Sequence, residues 1–132
     1  MDRAEKALTL QMQGYNCAQA VLCACADMVG IDEDTAFKIS QGFGGGMGGM
    51  RDGTCGAVSA MYMLAGFMGG EKSKAETYAL VRKMAEEFKK MNTSVICGEL
   101  MGLENGKKLR SCPGCVEDAV KITEKLYSEN NL

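Results

Sequence analysis

The sequence predicts an all-α protein, a single-domain helical bundle with a central apolar helix and a glycine-rich loop. Strand signals are nearly absent, because aromatic residues make up only 6% of the chain and no alternating run lies between turn residues. Apolar residues recur instead at helical spacing, and residues that cap helices precede most of these segments. A chain of 132 residues can form one domain with a core that needs no disulfides, so we assign residues 1–132 to one all-α, cysteine-rich domain.

Capping and breaking residues define seven predicted helices. Side chains that accept hydrogen bonds from free backbone N–H groups begin most of them, and glycines end several. In order, they run from the Asp2 capping box to Gly14, over 17–29 after Asn16, from Asp32 to Gly42, over 55–68 after Thr54, from the Ser73 capping box to about Met91, briefly from Cys97, and from Cys112 or Pro113 to about Ser128. The fourth is apolar on almost every face, so we place it at the centre of the bundle.

The spacing of apolar residues gives each longer helix one buried face. The expected core residues are Cys17, Val21, Ala24, Cys25 and Met28 in the second helix, Val81, Met84, Ala85 and Phe88 in the fifth, and Cys112, Val116, Ala119, Val120, Thr123 and Tyr127 in the last. Cys25 is expected to be an inert core residue. Cys23 falls on the opposite side of the second helix and is expected to be partly exposed.

Composition and charge exclude several classes of function. A net charge of −2 without a long basic run gives no attraction to nucleic acid or to a membrane surface. The longest apolar stretch, residues 55–68, is too short to span a bilayer, so we expect no membrane insertion. The first ten residues lack an apolar signal segment, and we therefore expect a cytoplasmic protein, in which structural disulfides are rare.

Seven cysteines and no histidine make thiols the reactive groups of this chain. Four of them, Cys17, Cys55, Cys97 and Cys112, open or directly precede predicted helices. A thiol at a helix N-terminus faces unpaired N–H groups and the positive end of the helix dipole, which favours the thiolate. Relative to the apolar faces of their helices, Cys17, Cys55 and Cys112 lie on the inward side. We therefore expect three helix N-termini to converge on one buried pocket. The lack of histidine excludes c-type haem attachment and Cys/His zinc fingers.

A glycine-rich loop lies between the third and fourth predicted helices. It satisfies G-x-G-x-x-G, but no strand precedes it and no Lys-Ser/Thr follows it, so neither a dinucleotide-binding fold nor a P-loop is supported. We expect Gly44, Gly45 and Gly46 to approach a negative centre closely and to offer it backbone N–H groups. A thiolate or a thiolate–metal cluster that includes Cys55 would be such a centre. The alternative is a flexible loop that permits close packing of helices.

Cys112 and Cys115 form the one C-x-x-C motif of the chain. The motif suits a redox dithiol at a helix N-terminus, and it equally suits one half of a four-cysteine metal site. A second C-x-x-C and the spacing of ferredoxin cysteines are both missing. Any site with four thiolates must therefore be assembled from distant segments.

Five segments resemble a family of redox-active proteins that is named for its C_GCAxxG_C_C cysteine pattern. They are GYNCAQAV at 14–21, GFGGGM at 42–47, CGAV at 55–58, CGELMG at 97–102 and CPGCV at 112–116. These segments occur in order over nearly the whole chain. One departure is Ala60, which stands where the family usually has glycine and adds a methyl group to the local helix contact.

The resemblance implies a redox role and places the family's four cysteines on Cys17, Cys55, Cys97 and Cys112, with Cys115 as an addition of this sequence. The family is also similar to a domain of certain multihaem cytochromes that holds an iron–sulfur centre. We therefore expect the four cysteines to bind an iron–sulfur cluster for electron transfer or redox sensing. The partner would be another redox protein of unidentified kind, and a homodimer is left open.

Two alternatives stay open beside the iron–sulfur hypothesis. A thiol–disulfide oxidoreductase would need no metal and would use Cys112 and Cys115, with Cys17 or Cys55 as a further partner. A structural zinc site would bind four thiolates without redox change. The sequence leaves open whether the protein is an enzyme.

Overall fold

The computed structural model describes residues 1–69 and 73–130, which form seven α-helices and one 3₁₀ turn. The elements are α1 (Arg3–Met12), α2 (Cys17–Val29), α3 (Glu33–Ser40), the 3₁₀ turn Gln41–Phe43, α4 (Gly56–Gly69), α5 (Lys74–Asn92), α6 (Cys97–Met101) and α7 (Cys112–Asn130). These residues contain no strand, only an isolated antiparallel bridge between Thr54 and Ile96. The predicted all-α bundle is confirmed.

Two helices, α2 and α4, share the centre of the bundle. Ten consecutive residues of α2, from 17 to 26, are buried, and α4 packs along this helix. The helices α1, α3 and α7 cover the rest of α2, while α5 and α7 cover α4. The sequence predicted α4 alone at the centre. The second helix joins it because its buried residues are mostly alanine and cysteine, whose small side chains let neighbours approach from every side.

Cys23 is buried, with 1% of its surface exposed, so the prediction of partial exposure was wrong. The start of α3 covers that side of α2, and the Cys23 thiol donates a hydrogen bond to the carbonyl of Glu33 at 3.7 Å. Burial raises the pKa of Cys23 to about 11 and that of Cys25 to about 12. Both residues therefore remain neutral thiols near pH 7.

The predicted capping residues start four of the helices. Asp2, Asn16, Asp32 and Ser73 each accept a hydrogen bond from the backbone N–H three residues later. Their side chains satisfy donors that have no partner inside the helix. At the other end, α3 stops at Ser40, earlier than predicted, because the last turn tightens into the 3₁₀ turn that leads to the glycine-rich loop.

The start of α4 differs from the prediction by one residue. The Cys55 N–H donates to the carbonyl of Val95 at 2.7 Å, and the helix begins at Gly56. The Cys55 carbonyl accepts the first helical hydrogen bond, so this cysteine occupies the N-cap position. Thr54, the predicted cap, instead pairs with Ile96. This pairing fastens the start of α4 to the segment that leads into α6.

The buried face of α5 is rotated slightly from the predicted one. Leu80, Met84 and Phe88 are buried, whereas Val81 and Ala85 are half-buried. Both α4 and α7 pack against this helix, and their positions decide which row faces the core. Within the described ranges, none of the helices combines the length and the apolar character needed to cross a bilayer.

Candidate functional site

Four helix N-termini meet at one small cavity. Cys17, Cys97 and Cys112 are the first residues of α2, α6 and α7, and Cys55 directly precedes α4. All four line a cavity of about 30 Å³, which is close to the volume of one water molecule. The predicted convergence of helix ends is confirmed, and α6 joins it. The role of the four cysteines as metal ligands stays a prediction.

Cys115 is a fifth thiol of the cavity, and the predicted set of four did not include it. It lies one turn into α7, where residues three apart share a helix face, so it points the same way as Cys112. The C-x-x-C spacing was the sequence signal for this placement. The remaining lining residues are Gly45, Arg51, Gly56, Leu100, Met101 and Arg110.

Four of the five thiols form two pairs that connect α7 to two different helices, Cys17 with Cys112 and Cys55 with Cys115; we call these the crosswise pairs. The Cys112 thiol donates a hydrogen bond to the Cys17 sulfur, and the Cys115 thiol donates one to the Cys55 sulfur. The two cysteines of the C-x-x-C motif thus pair with different partners. Side chains at i and i+3 project side by side from a helix, so both face the cavity.

Backbone N–H groups surround the accepting sulfur of each pair. The Cys17 sulfur accepts hydrogen bonds from the N–H groups of Ala18, Gly45 and Ala57. The Cys55 sulfur accepts hydrogen bonds from the first turn of α4. Donors at a helix start have no helical partner, so a sulfur that carries negative charge satisfies them.

Hydrogen bonding separates the pKa values within each pair. The hydrogen bond from Cys112 lowers the pKa of Cys17 to about 6, and the backbone N–H groups add to this against the opposing effect of burial. The hydrogen bond from Cys115 likewise lowers the pKa of Cys55. Donating these bonds raises the pKa of both Cys112 and Cys115, and burial raises them further. One sulfur of each pair is therefore favoured as the thiolate while the other keeps its proton.

Cys97 has an arginine as its partner. The Arg51 guanidinium donates a hydrogen bond to the Cys97 sulfur at 3.9 Å, but burial is the larger effect and raises the pKa of this thiol. Arg51 has a φ of 69°, a left-handed conformation that is unfavourable for a residue with a side chain. Its N–H donates to the carbonyl of Gly45 at 3.0 Å, and its carbonyl accepts from the N–H of Gly98 at 2.6 Å. This turn therefore joins the glycine-rich loop to α6.

Each of the three glycines predicted to bind a cofactor lies against a residue of the site. A Cβ on Gly44 would lie 2.6 Å from the side chain of Asn16, which caps α2. A Cβ on Gly46 would lie 2.6 Å from the Cβ of Cys97. Gly45 lines the cavity and offers its N–H to a thiolate. Of the three, Gly45 offers its N–H group to a sulfur, whereas Gly44 and Gly46 approach side-chain carbon and amide atoms instead. The contact of these glycines with a cofactor stays a prediction.

A comparison with known protein families supports the redox interpretation. The family described as "Putative redox-active protein (C_GCAxxG_C_C)" matches residues 15–126. The chain belongs to this family. A search of the curated proteins and a search of the solved structures each found no match. The matched range includes all five thiols of the cavity.

Arg110 lines the cysteine cavity beside α7. A Cβ on Gly114 would lie 2.5 Å from the Arg110 Nε, so the guanidinium packs directly against the backbone of α7 at this glycine. Arg110 donates to both carboxylate oxygens of Asp118, at 3.0 and 3.2 Å. Asp118 is only 4% exposed and also accepts from Asn92 at 3.0 Å. This network brings two charges near Cys115, the Arg110 guanidinium and the Asp118 carboxylate.

Gln11, in α1, is a site residue that the sequence did not indicate. Its Nε2 donates to the Cys112 sulfur at 3.2 Å. Its Oε1 is buried and has no hydrogen-bond partner among the described residues. A single glutamine on a short amphipathic helix carries no signal of such a role, because only the packing of α1 against α7 brings the two side chains together.

Four of the five cavity sulfurs form pairs, and the fifth, that of Cys97, faces Arg51. Within residues 1–69 and 73–130, no group of three or more Cys, Asp or Glu side chains is positioned to hold a metal ion. The donor chemistry nevertheless fits a soft metal, because thiols, backbone N–H groups and guanidinium groups line the cavity and histidine is lacking. The same arrangement also suits the exchange of thiols for disulfides.

Proposed function

We propose that this member of the family is a redox protein whose cavity binds an iron–sulfur cluster, for electron transfer or redox sensing. The proposed ligands are Cys17, Cys55, Cys97 and Cys112. The observation that carries the proposal is the convergence of these four thiols, from four separate helix starts, on one buried cavity. Cysteine thiolates are the usual ligands of such clusters.

The surroundings of the thiols support a negatively charged centre. The N–H group of Gly45 and those at the starts of α2 and α4 face sulfur, and such hydrogen bonds raise the reduction potential of an iron–sulfur centre. Arg51 adds a positive charge beside Cys97. When bound, the cluster would supply one-electron transfer. Cys112 must lose its proton to act as a ligand, so its hydrogen bond to Cys17 would be lost on binding.

Anaerobic purification, followed by visible spectroscopy and analysis of iron and sulfide, tests this proposal. We expect the wild-type protein to contain both and to be coloured. Cys97→Ser should lose the cluster, whereas Cys115→Ser, the control within the same cavity, should keep it. A colourless protein without iron or sulfide, even after reconstitution, would refute the proposal. Zinc found alone by mass spectrometry would indicate the structural metal site instead.

A second function, thiol–disulfide exchange, is favoured by the hydrogen bonds within the two crosswise pairs. The sequence suggested Cys112 with Cys115 as the reactive dithiol, with Cys17 or Cys55 as a further partner. The hydrogen bonds instead favour Cys17 with Cys112, in which Cys17 is the attacking thiolate. Reduction of a small disulfide substrate should then depend on both residues. Cys23→Ala, a change outside the cavity, should leave the rate unchanged.

A further inference from the structure

We propose that hydrogen peroxide oxidises the metal-free cavity to two disulfides, Cys17–Cys112 and Cys55–Cys115, and that these bonds close the site to metal. The inference deepens the proposed function and rests on it for the consequence for metal binding. The formation of the disulfides does not depend on that function.

The pairing follows from the way α7 meets two other helices. Cys112 and Cys115 project from the same face of α7, and each thiol is hydrogen-bonded to a sulfur at the start of a different helix, α2 or α4. Oxidation of neighbours already in contact needs little movement of the backbone. Cys97 is left over, because its sulfur faces Arg51.

The size of the cavity limits which oxidant can enter it. A space of about 30 Å³ admits a molecule little larger than water, and hydrogen peroxide meets that limit. Cys112 is half-buried while the other three paired cysteines are buried, so Cys112 is the most accessible of the four thiols. A bulky peptide disulfide such as oxidised glutathione would not fit. A hydroperoxide of the smallest size is therefore the oxidant that the geometry favours.

The reaction balances with one peroxide for each disulfide. The Cys17 sulfur attacks one peroxide oxygen, an S–O bond forms, the O–O bond breaks, and the departing hydroxide takes the Cys17 proton and becomes water. The Cys112 sulfur then attacks the Cys17 sulfur, an S–S bond forms, the S–O bond breaks, and the second departing hydroxide takes the Cys112 proton and becomes water. The two sulfurs lose two electrons in total, and the peroxide is reduced to two waters. Cys55 and Cys115 react in the same way.

Oxidation removes three of the four proposed metal ligands, namely Cys17, Cys55 and Cys112. A sulfur in a disulfide is no longer a thiolate and cannot bind the metal. Reduction of both bonds restores the ligands. The cavity would thus accept metal only in its reduced state.

Disulfide mapping of the metal-free protein tests the pairing. The reduced protein is treated with limiting hydrogen peroxide, alkylated in denaturant and digested with trypsin without reduction. We expect four of the seven thiols to be lost, with Cys23, Cys25 and Cys97 alkylated, and dithiothreitol to restore all seven. Cys112 and Cys115 share one tryptic peptide, so the wild type should give a single species that joins this peptide to those carrying Cys17 and Cys55. A bond between Cys112 and Cys115 would leave the three peptides separate and overturn the proposal.

Two single variants assign the bonds individually. Cys115→Ser should join the 112-containing peptide only to the Cys17 peptide, and Cys112→Ser should join it only to the Cys55 peptide. A bond between Cys112 and Cys55, a bond between Cys115 and Cys17, or any bond to Cys97 would refute the proposed pairing. Cys23→Ala should preserve both cross-links. If a variant does not fold, fragmentation of the wild-type species between Cys112 and Cys115 in the mass spectrometer assigns the two bonds instead.

Cluster reconstitution separates this inference from the proposed function. Crosswise disulfides in a protein that takes up no iron when reduced would refute only the iron–sulfur function and the closing of the site to metal. A protein that takes up the cluster when reduced but forms no crosswise disulfides would refute only the inference made here. If both are observed, the oxidised protein should take up no iron until dithiothreitol is added.

Discussion

The contrast between Cys17 and Cys25 shows how hydrogen bonds decide the state of a buried thiol. Both side chains are buried, and burial alone raises the pKa of a thiol. Cys25 follows this rule, and its pKa is raised to about 12. At Cys17 a hydrogen bond from Cys112 and three backbone N–H groups reverse the effect and lower the pKa to about 6. Hydrogen bonds to its sulfur, above all the one from Cys112, rather than exposure, favour the thiolate of Cys17.

The first prediction concerns the ionisation of Cys17 in the metal-free protein. Titration by the ultraviolet absorbance of thiolates should show this residue ionising near pH 6. Cys112→Ala removes the strongest donor and should raise its pKa toward the usual value of about 8.5. Cys115→Ala, which leaves the Cys17 pair intact, is the control. An unchanged titration in Cys112→Ala would contradict the assignment.

The sign of the accompanying change in stability follows from linkage. The pKa of Cys17 is lower in the folded protein than in the unfolded chain, so its ionisation stabilises the fold fully above about pH 8.5. This contribution is lost as the pH falls toward about 6. The free energy of unfolding, measured against pH for the wild type and for Cys17→Ala, should show this contribution only in the wild type.

The second prediction concerns Gly46, where a side chain would meet the site directly. Gly46 has a φ of 69°, and an added Cβ would lie 2.6 Å from the Cys97 Cβ and 2.9 Å from the Arg51 Cα. Gly48 has a similar φ of 58° but open space around it. Gly48→Ala should cost about 1–2 kcal/mol for backbone strain. Gly46→Ala should cost a further 1–3 kcal/mol or so for overpacking.

Urea unfolding of the two glycine variants separates the backbone cost from the steric cost. Gly46→Ala should also slow or abolish cluster uptake, because it displaces Cys97 from the cavity. Equal losses of stability in both variants would show that the loop does not press against α6.

At the scale of elements, the start of α2 combines a helix cap, a proposed metal ligand and a close contact. The Asn16 side chain accepts from the Gln19 N–H, and its amide donates to the carbonyl of Gln41 at 2.8 Å. Cys17 follows at the first helical position. A Cβ on Gly56 would lie 2.5 Å from the Cys17 sulfur, so the first residue of α4 must be small. The cap therefore fixes both the helix and the place of its thiol.

The third prediction follows from this double role of Asn16. Asn16→Ala should reduce the free energy of unfolding by about 1–2 kcal/mol, because it removes a cap and a tie to the 3₁₀ turn. Asp2→Ala removes a similar capping box from α1 at the exposed N-terminus and should cost about 0.5–1 kcal/mol. Chemical denaturation gives both values.

The site provides a second readout for the same pair of variants. Asn16→Ala should slow the reaction of Cys17 with an alkylating reagent near neutral pH, since the helix start that favours its thiolate is loosened. Asp2→Ala should leave that rate unchanged. A larger effect of Asp2→Ala on the thiol would contradict the role given to the α2 cap.

At the scale of the whole molecule, the packed pair of helices α2 and α4 keeps the four helix starts in fixed positions relative to one another. Large apolar side chains from the surrounding helices fill the space around this pair, among them Phe88 of α5, which is fully buried. The cavity stands at one end of that core, where the helix starts converge. Its geometry therefore depends on packing far from the thiols.

The fourth prediction compares two phenylalanines with different burial. Phe88→Ala should destabilise the protein by about 3–5 kcal/mol, because it leaves a cavity in the core. Phe67 in α4 is 45% exposed, and Phe67→Ala should cost no more than about 1 kcal/mol. Thermal unfolding followed by circular dichroism measures both. Similar losses would contradict the central position of the α5 contact.

Much of the fold was predictable because its signals are local. Asp2, Asn16, Asp32 and Ser73 cap helices through hydrogen bonds that span three residues, and such spacing is visible in the sequence. The burial of Cys23 was not predictable. The spacing of apolar residues identifies one buried face of a helix, and it cannot show that α3 covers the opposite face. For the same reason the sequence did not show that α2 shares the centre with α4.

The sequence by itself determined that four of the cysteines lie at helix starts, because a thiol's position relative to a cap depends on a few neighbouring residues. Which thiol meets which was decided only by the tertiary structure. Helix periodicity gives the inward face of each segment but not the direction of that segment in space. The packing of α7 across α2 and α4 therefore turned one C-x-x-C motif into two pairs, Cys17 with Cys112 and Cys55 with Cys115.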